Sequence, residues 1–183
     1  MEPVLVVGAG PTGLVTALGL ARRGVAVRVI DRKDGPANES RAMGVQARTL
    51  EYYRQLGYGD AVADLGVKAG TVHFRTRGRD VVRFTLGDMG AGLSPYPFLL
   101  CLAQDEHERF LIDRLHDAGV SVDWSAALED LTERGDHVEV VISRGGASKK
   151  FGYSYVVGCD GAYGRVRERR PPNPASRPVP ARW

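Results

Sequence analysis

The chain is poor in the residues that most readily announce a site. Only two of its 183 residues are cysteines, Cys101 and Cys159, both in apolar or glycine-flanked settings without metal-ligand spacing. A zinc cluster and a disulfide framework are therefore excluded as organising features, and the thiols read as reduced, as in a cytoplasmic protein. The four histidines, His73, His107, His116 and His137, form no HxxH or HxxxH set and read as surface or helix residues. No apolar run approaches the roughly 18 residues of a membrane span, and the N-terminus opens directly into a strand instead of a signal peptide, so no membrane partner is expected. An excess of charge is scarce as well. The formal net charge is +3, and residues 165–183 alone hold six arginines and one glutamate, leaving 19 basic against 21 acidic residues elsewhere. A nucleic-acid partner would rest on that tail alone and is not expected. A chain of this length buries one good core, so one domain with a small appendage is the default.

The opening residues carry the most information. An apolar strand, Val4-Leu5-Val6-Val7, runs into Gly8-Ala9-Gly10-Pro11-Thr12-Gly13, followed by an amphipathic helix and a second apolar strand, Val25 to Ile30, ending on Asp31. This is the dinucleotide-binding fingerprint in its full context of strand, glycine turn, helix, strand and acid. Gly8 permits the sharp turn, Gly10 lets the backbone approach a pyrophosphate, and Gly13 brings the helix against the sheet. Pro11 suits the first helical position, where an N–H has no intrahelical partner. The free amides and positive dipole end of the helix favour a diphosphate. Asp31, 18 residues after Gly13, is placed to accept from both ribose hydroxyls of an adenosine. Leu14, Ala17, Leu18 and Ala21 recur at helical spacing, and Gly24 ends the helix.

Further along, the pattern predicts a helix over 46–56 with Leu50, Tyr53 and Leu56 inward, and a helical turn over 60–65. A β-hairpin is expected from 71–75 and 81–85 around Arg77-Gly78-Arg79-Asp80. A glycine- and proline-rich loop (86–97) leads to a buried strand over 98–102. Asp105 and Glu108 resemble a capping box that starts a helix to about Ala118, with Phe110, Leu111, Leu115 and Ala118 on one face. Strands follow at 120–124, 127–132, 138–143 and 155–157. Five of the ten prolines lie beyond residue 169, so 170–183 is expected to be a disordered Pro/Arg-rich tail after a domain spanning 1–169.

Four ordered segments resemble the para-hydroxybenzoate hydroxylase type of FAD-dependent aromatic hydroxylases, the class A flavin monooxygenases. They are the fingerprint through Asp31-Arg32; Ser40-Arg41-Ala42-Met43-Gly44-Val45-Gln46-Ala47-Arg48-Thr49-Leu50-Glu51; Gln104 with Glu108 and Leu111; and Gly158-Cys159-Asp160-Gly161-Ala162 with Arg165 and Arg167. The resemblance implies an α/β, Rossmann-like FAD/NAD(P)-binding domain: a parallel sheet with helices plus a β-hairpin or meander insertion, incomplete relative to the family. It implies FAD as cofactor, NADPH or NADH as reductant, dioxygen and a small aromatic or polyketide-like substrate as partners, and hydroxylation through a flavin C4a-hydroperoxide. It also implies cofactor-binding roles for Gly8, Gly10, Pro11, Thr12, Gly13, Asp31, Arg32, Arg41, Gln104 and Asp160, and no catalytic side chain. Read without the resemblance, Arg41 could neutralise a diphosphate or be solvated, Gln104 could bond a ligand or cap its helix, and Asp160 could be an ordinary turn residue.

The family normally continues well past the DG segment into a substrate-binding sheet and a later Gly-Asp motif. Here the sequence passes instead into the proline- and arginine-rich tail, as a frameshift or a deliberate truncation would produce. The expectation is that this chain alone binds FAD weakly or not at all and does not hydroxylate. A non-catalytic flavin- or nucleotide-binding fragment needing a second chain is the alternative. An NAD(P)-linked dehydrogenase is a weaker one, because neither Tyr153 nor Tyr155 is followed by a suitably spaced lysine.

Overall fold

A computed structural model describes residues 3–36, 44–86, 90–161 and 164–169. In chain order the elements begin with β1 (Val4–Val7), α1 (Pro11–Ala21), β2 (Val27–Ile30), β3 (Gly44–Val45), α2 (Ala47–Gln55) and α3 (Gly59–Leu65). Then come β4 (Val67–Ala69), β5 (Thr71–Thr76), β6 (Arg79–Thr85), β7 (Leu99–Cys101) and α4 (Gln104–Asp117). The last are β8 (Val122–Asp123), β9 (Ala126–Glu133), β10 (Val138–Arg144), β11 (Ala147–Tyr153), β12 (Tyr155–Gly158) and α5 (Arg165–Arg169). The chain divides into two compact units, Met1–Gly35 with Ala118–Trp183, and Pro36–Asp117.

The first unit holds a parallel sheet in the order β12-β1-β2-β8. β1 is paired in parallel on both sides, Val4 with Val27 and Tyr155 and Val7 with Ile30 and Gly158, so all four of its residues are buried. That accounts for its unbroken apolar run, since a strand covered on both faces has no polar side. Leu5 and Val7 join Ile30, Ala126, Leu128, Val140, Ile142 and Tyr153 in one core cluster under the antiparallel meander β9-β10-β11. Strand alternation leaves Val4 and Val6 for the opposite face, and α1 buries Leu14, Ala17 and Leu18 as its spacing predicted. Arg28 stitches the sheet edge: Nε donates to Asp123 Oδ2 at 2.8 Å, Nη1 to Tyr153 Oη at 2.7 Å, and the guanidinium lies 4.7 Å from the Phe151 ring centre.

The second unit combines a small antiparallel sheet, β3-β7-β4, with the β5-β6 ribbon and helices α2, α3 and α4. The predicted hairpin forms, but its loop is the two residues Arg77-Gly78, both at positive φ (49° and 78°), which suits the right-handed twist of the strands. α2 buries Leu50 and Tyr53, and Leu56 beside its end is buried too. In α4 the inward stripe is His107, Glu108, Leu111 and Leu115; Ala118, expected on that face, is exposed, and Phe110 is half-buried. The helix ends at Asp117, so Ala118 lies beyond it. α4 begins at Gln104, with Asp105 in its first turn pairing with Arg109 at 3.2 Å. Tyr53 Oη lies 2.8 Å from His107 Nε2, and both rings are buried. No helix among the described residues is long and apolar enough to cross a membrane. The expected tail, 170–183, lies outside the described residues.

Candidate nucleotide site at the first strand-helix turn

The turn between β1 and α1 is shaped by two close backbone approaches. Gly8 sits at φ +106°, a conformation side chains rarely adopt, and a Cβ there would lie 2.6 Å from the carbonyl carbon of Cys159 at the end of β12. A Cβ on Gly13 would collide with the Gly8 carbonyl oxygen and come within 3.2 Å of the Cys159 side chain. Both glycines thus serve the packing of β1, α1 and the chain leaving β12, a strand end also pinned by Cys159 N–H donating to Val7 O at 2.7 Å. Burial pushes the half-buried Cys159 thiol above its ordinary range, opposed by a hydrogen bond with Thr16. Both cysteines are free.

Gly10 behaves differently. It is the N-cap of α1, in an extended conformation (φ −76°, ψ 177°), and a Cβ added there would meet nothing within 4 Å. Pro11 is at the first helical position, the N-cap supplies no side-chain hydrogen bond, and no acid occupies the first turn. Leu14 N–H makes the first helical bond, to Gly10 O at 3.0 Å. The amides of Thr12 and Gly13 precede it and have no intrahelical acceptor. Thr12 is exposed. The result is an open mouth lined with donors and with the positive end of an 11-residue helix.

Asp31 closes the other side of the mouth. It is 7% exposed, its Oδ2 accepts from Ala9 N–H at 2.7 Å, and its Oδ1 accepts from Lys33 N–H at 2.9 Å. The carboxylate therefore clamps the glycine turn, and each oxygen keeps a second lone pair for a hydroxyl donor. Arg32 beside it is exposed. Asp160, also in this unit, receives Val166 N–H of α5 at 3.2 Å on Oδ2. A Cβ on Gly164 would meet the Asp160 carboxylate and displace it. Asp160 braces the start of α5. Arg41 lies outside the described residues.

Gln104 belongs to the second unit, as the first residue of α4, where its Nε2 donates to Glu108 Oε1 at 2.7 Å. Glu108 is fully buried, as is nearly the whole of His107, and burial lowers the His107 pKa while the charge of Glu108 opposes the shift. Burial also raises the Tyr53 phenol far beyond its ordinary value. The polar character of this buried trio went unread in the sequence. The helical spacing of 107, 108, 111 and 115 was its one signal. The same unit contains an apolar cleft of about 340 Å³ lined by Leu86, Tyr96, Pro97, Phe98 and Leu99 among others. Among the described residues no cluster of His, Cys, Asp or Glu could hold a metal ion.

A parallel α/β sheet with a glycine turn, an open helix N-terminus and an acid at the end of β2 defines a dinucleotide-binding domain. The chain belongs to the FAD binding domain family, which matches residues 1–180. It is 45% identical over 170 residues to 6-methylpretetramide 4-monooxygenase of Streptomyces rimosus, covering 91% of this chain and 30% of that protein. It is 30% identical to pentachlorophenol 4-monooxygenase of Sphingobium chlorophenolicum, covering 90% and 31%. Among solved structures, p-nitrophenol 4-monooxygenase PnpA from Pseudomonas putida DLL-E4 superposes with a TM-score of 0.85 at 27% identity, covering 92% of this chain and 43% of that one. Aklavinone-11 hydroxylase in a ternary complex with FAD and aklavinone gives 0.80 at 30%, covering 91% and 34%. The chain spans about a third of the curated relatives it matches. The site's residues fit FAD: of the turn's three glycines Gly10 alone has free space at its Cβ position, donors line the mouth, and a buried acid stands at its edge.

Proposed function

We propose that this chain binds FAD as the flavin-holding part of an NAD(P)H-dependent monooxygenase acting on an aromatic or polyketide-like substrate. The observation that carries the proposal is the open space at Gly10 beside unpaired first-turn amides, in a turn whose other two glycines are closed by packing. When bound, the flavin supplies two-electron redox chemistry and the activation of dioxygen. The chain's own residues bind and orient it. No first-turn carboxylate competes for the Thr12 and Gly13 amides, which donate to the diphosphate. Pro11 presets the helix start, and Asp31, already bonded to Ala9 N–H, receives the adenosine ribose hydroxyls without a change of rotamer. Arg32, Arg41, Gln104 and Asp160 are assigned to the cofactor on the resemblance alone. Residues 1–169 form the FAD-binding domain in this reading, with 170–183 as a tail, and the free thiols suit a cytoplasmic location.

The cleft beside Tyr96 and Phe98 supports the substrate class, because an apolar, aromatic-lined space accepts a flat ring and disfavours a charged sugar or phosphate. Titration of the purified chain with FAD, followed by flavin fluorescence, tests the reading. Weak, saturable quenching is expected, with an affinity that Gly10→Ala lowers at least about tenfold. Tight NAD binding with no affinity for flavin would overturn it. Substrate-dependent NADPH oxidation on adding the region that the relatives carry beyond this chain would extend the reading from binding to catalysis.

A further inference from the structure

β5 and β6 pair only with each other, and no residue of either strand is buried. An isolated pair of strands is marginal in water, and a sheet normally gains its stability from a second layer on its apolar face. Here that face is well defined. The register sets Val72 opposite Phe84 and Phe74 opposite Val82, so strand alternation puts all four side chains on one side. Phe74 and Phe84 meet edge to face at 5.9 Å yet stay 57% and 53% exposed, and Val82 is 41% exposed. With Val81, the ribbon holds four of the nine large apolar side chains exposed among the described residues. Apolar surface gathered in this way marks a contact face, whereas single exposed residues need no explanation. The charges lie on the other side. His73 is opposite Arg83 and Arg75 opposite Asp80, and Asp80 lies 2.8 Å from His73 Nδ1 and accepts from Arg75 Nε. Pairing at the strand edge is opposed by the β-bulge at Val81 and by the arginines around it, which leaves the face as the route of contact.

We propose that the face formed by Val72, Phe74, Val82 and Phe84 is a self-association surface, through which two copies of this chain form a weak face-to-face dimer. A second copy supplies what the face requires, a flat apolar surface whose charges point away from the contact. With the two-fold axis in the contact plane and perpendicular to the strands, the phenylalanines of one copy meet those of the other. The groups around Asp80 stay outward in both copies. Thr76 and Arg79, which close the face beside the Arg77-Gly78 turn, fall at opposite ends of the pair, so the arginine-rich tips are kept apart. Area sets the strength. At these exposures the two faces together remove roughly 700 Å² from water, against the roughly 1,200–2,000 Å² of stable complexes, so the dimer is concentration-dependent. The inference does not depend on the flavin reading, because the glycine turn takes no part in it.

Sedimentation equilibrium of the full chain tests the proposal, alongside hydrogen exchange of residues 71–85 at low and high protein concentration. The expected result is a monomer–dimer equilibrium with a dissociation constant between about 10 µM and about 300 µM, and ribbon amides that exchange more slowly as the dimer fills. Phe74→Ser combined with Phe84→Ser is expected to weaken the dimer at least about tenfold, and Arg83→Ser, on the far face, to change it less than about twofold. A monomer up to about 500 µM would overturn the proposal. So would a dimer that the serine pair leaves intact, or one that Arg83→Ser weakens equally. A monomer whose ribbon is shielded only on adding phosphatidylglycerol–phosphatidylcholine vesicles would overturn it and assign the face to an anionic membrane. Shielding only by a separately made polypeptide, the part of 6-methylpretetramide 4-monooxygenase that this chain does not span, would overturn it in favour of that region. If the serine pair fails to fold, wild-type exchange decides, and ribbon protection that does not change with protein concentration overturns the proposal.

Discussion

Substituting alanine for two glycines three residues apart, Gly10 and Gly13, should give opposite outcomes. At Gly13 the new Cβ meets the carbonyl oxygen of Gly8 and, at 3.2 Å, the Cys159 side chain. The first is backbone in a turn already held by Gly8 N–H donating to Ile30 O at 2.8 Å, so it cannot swing aside as a flexible side chain would. Overpacking of this kind lies at the upper end of the usual range, about 3 kcal/mol. The gain in helix propensity from Gly to Ala offsets about 1 kcal/mol, leaving a net loss of about 2 kcal/mol. For a chain of this size that is a fall in Tm of about 4–8 °C. At Gly10 there is nothing within 4 Å and the backbone angles suit alanine, so the lower entropy of the unfolded chain and the poorer N-cap nearly cancel, to within about 0.5 kcal/mol. Its Cβ nonetheless fills the place a diphosphate would approach, and FAD affinity should fall at least about tenfold. Urea unfolding followed by far-ultraviolet circular dichroism measures the first quantity, and flavin fluorescence the second. A Gly13→Ala variant within about 0.5 kcal/mol of wild type, or a Gly10→Ala variant losing more than about 1 kcal/mol, would refute the division of roles.

Asp31→Ala leaves the amides of Ala9 and Lys33 without their acceptor and should lower stability by about 2 kcal/mol in urea unfolding, even with no nucleotide present; a loss under about 0.5 kcal/mol would show that the clamp carries nothing. His107 should make stability depend on pH. Burial lowers its folded pKa below the ordinary 6.5, so the unfolded chain takes up the proton first, and stability is fully present above that value and declines as pH falls until the folded pKa is reached. His107→Gln, which keeps a hydrogen-bonding group for Tyr53, should flatten the decline that sets in as pH falls through 6.5 in denaturant titrations, and an unchanged slope would assign it to another group. Arg28→Gln removes the bonds to Asp123 and Tyr153 together with the stacking on Phe151, and should lose about 2 kcal/mol by the same assay.

The parts of this fold that could be read in the sequence are those whose pattern has one physical cause. β1 has an apolar residue at every position because it is covered on both faces, and Leu14, Ala17 and Leu18 recur because one face of α1 meets the sheet. Short pairings with no periodicity of their own were not legible. β3 has two residues and β4 three, and each exists only because β7 offers its edges. β11, with Lys149 and Lys150, looks too polar for a strand and is held by its ladder with β10. Ala118 was drawn onto the inward face of α4 by its apolarity, but the helix ends at Asp117 and its inward stripe includes the polar His107 and Glu108. At the site, the glycines, Pro11 and Asp31 were legible because backbone geometry demands them. The brace from Asp160 to Val166 joins residues six apart through a side chain, and no local rule predicts it.

The dinucleotide fingerprint is commonly read as a list of ligand-binding positions, but at this mouth most of its residues answer to the protein itself. Gly8 and Gly13 are required by contacts with Cys159 and with each other, and the Asp31 carboxylate already spends a lone pair on each oxygen holding Ala9 and Lys33. Of the turn's three glycines, Gly10 alone has no neighbour within 4 Å at its Cβ position. Preorganisation explains the arrangement. A mouth whose walls are locked before the cofactor arrives loses little entropy on binding, so affinity depends on the few groups that face outward. Within this glycine turn, a substitution that weakens FAD while leaving the unfolding curve unchanged is therefore expected at the outward positions Gly10 and Thr12. One at Gly8, Gly13 or Asp31 should disturb the fold as well, whatever it does to the flavin.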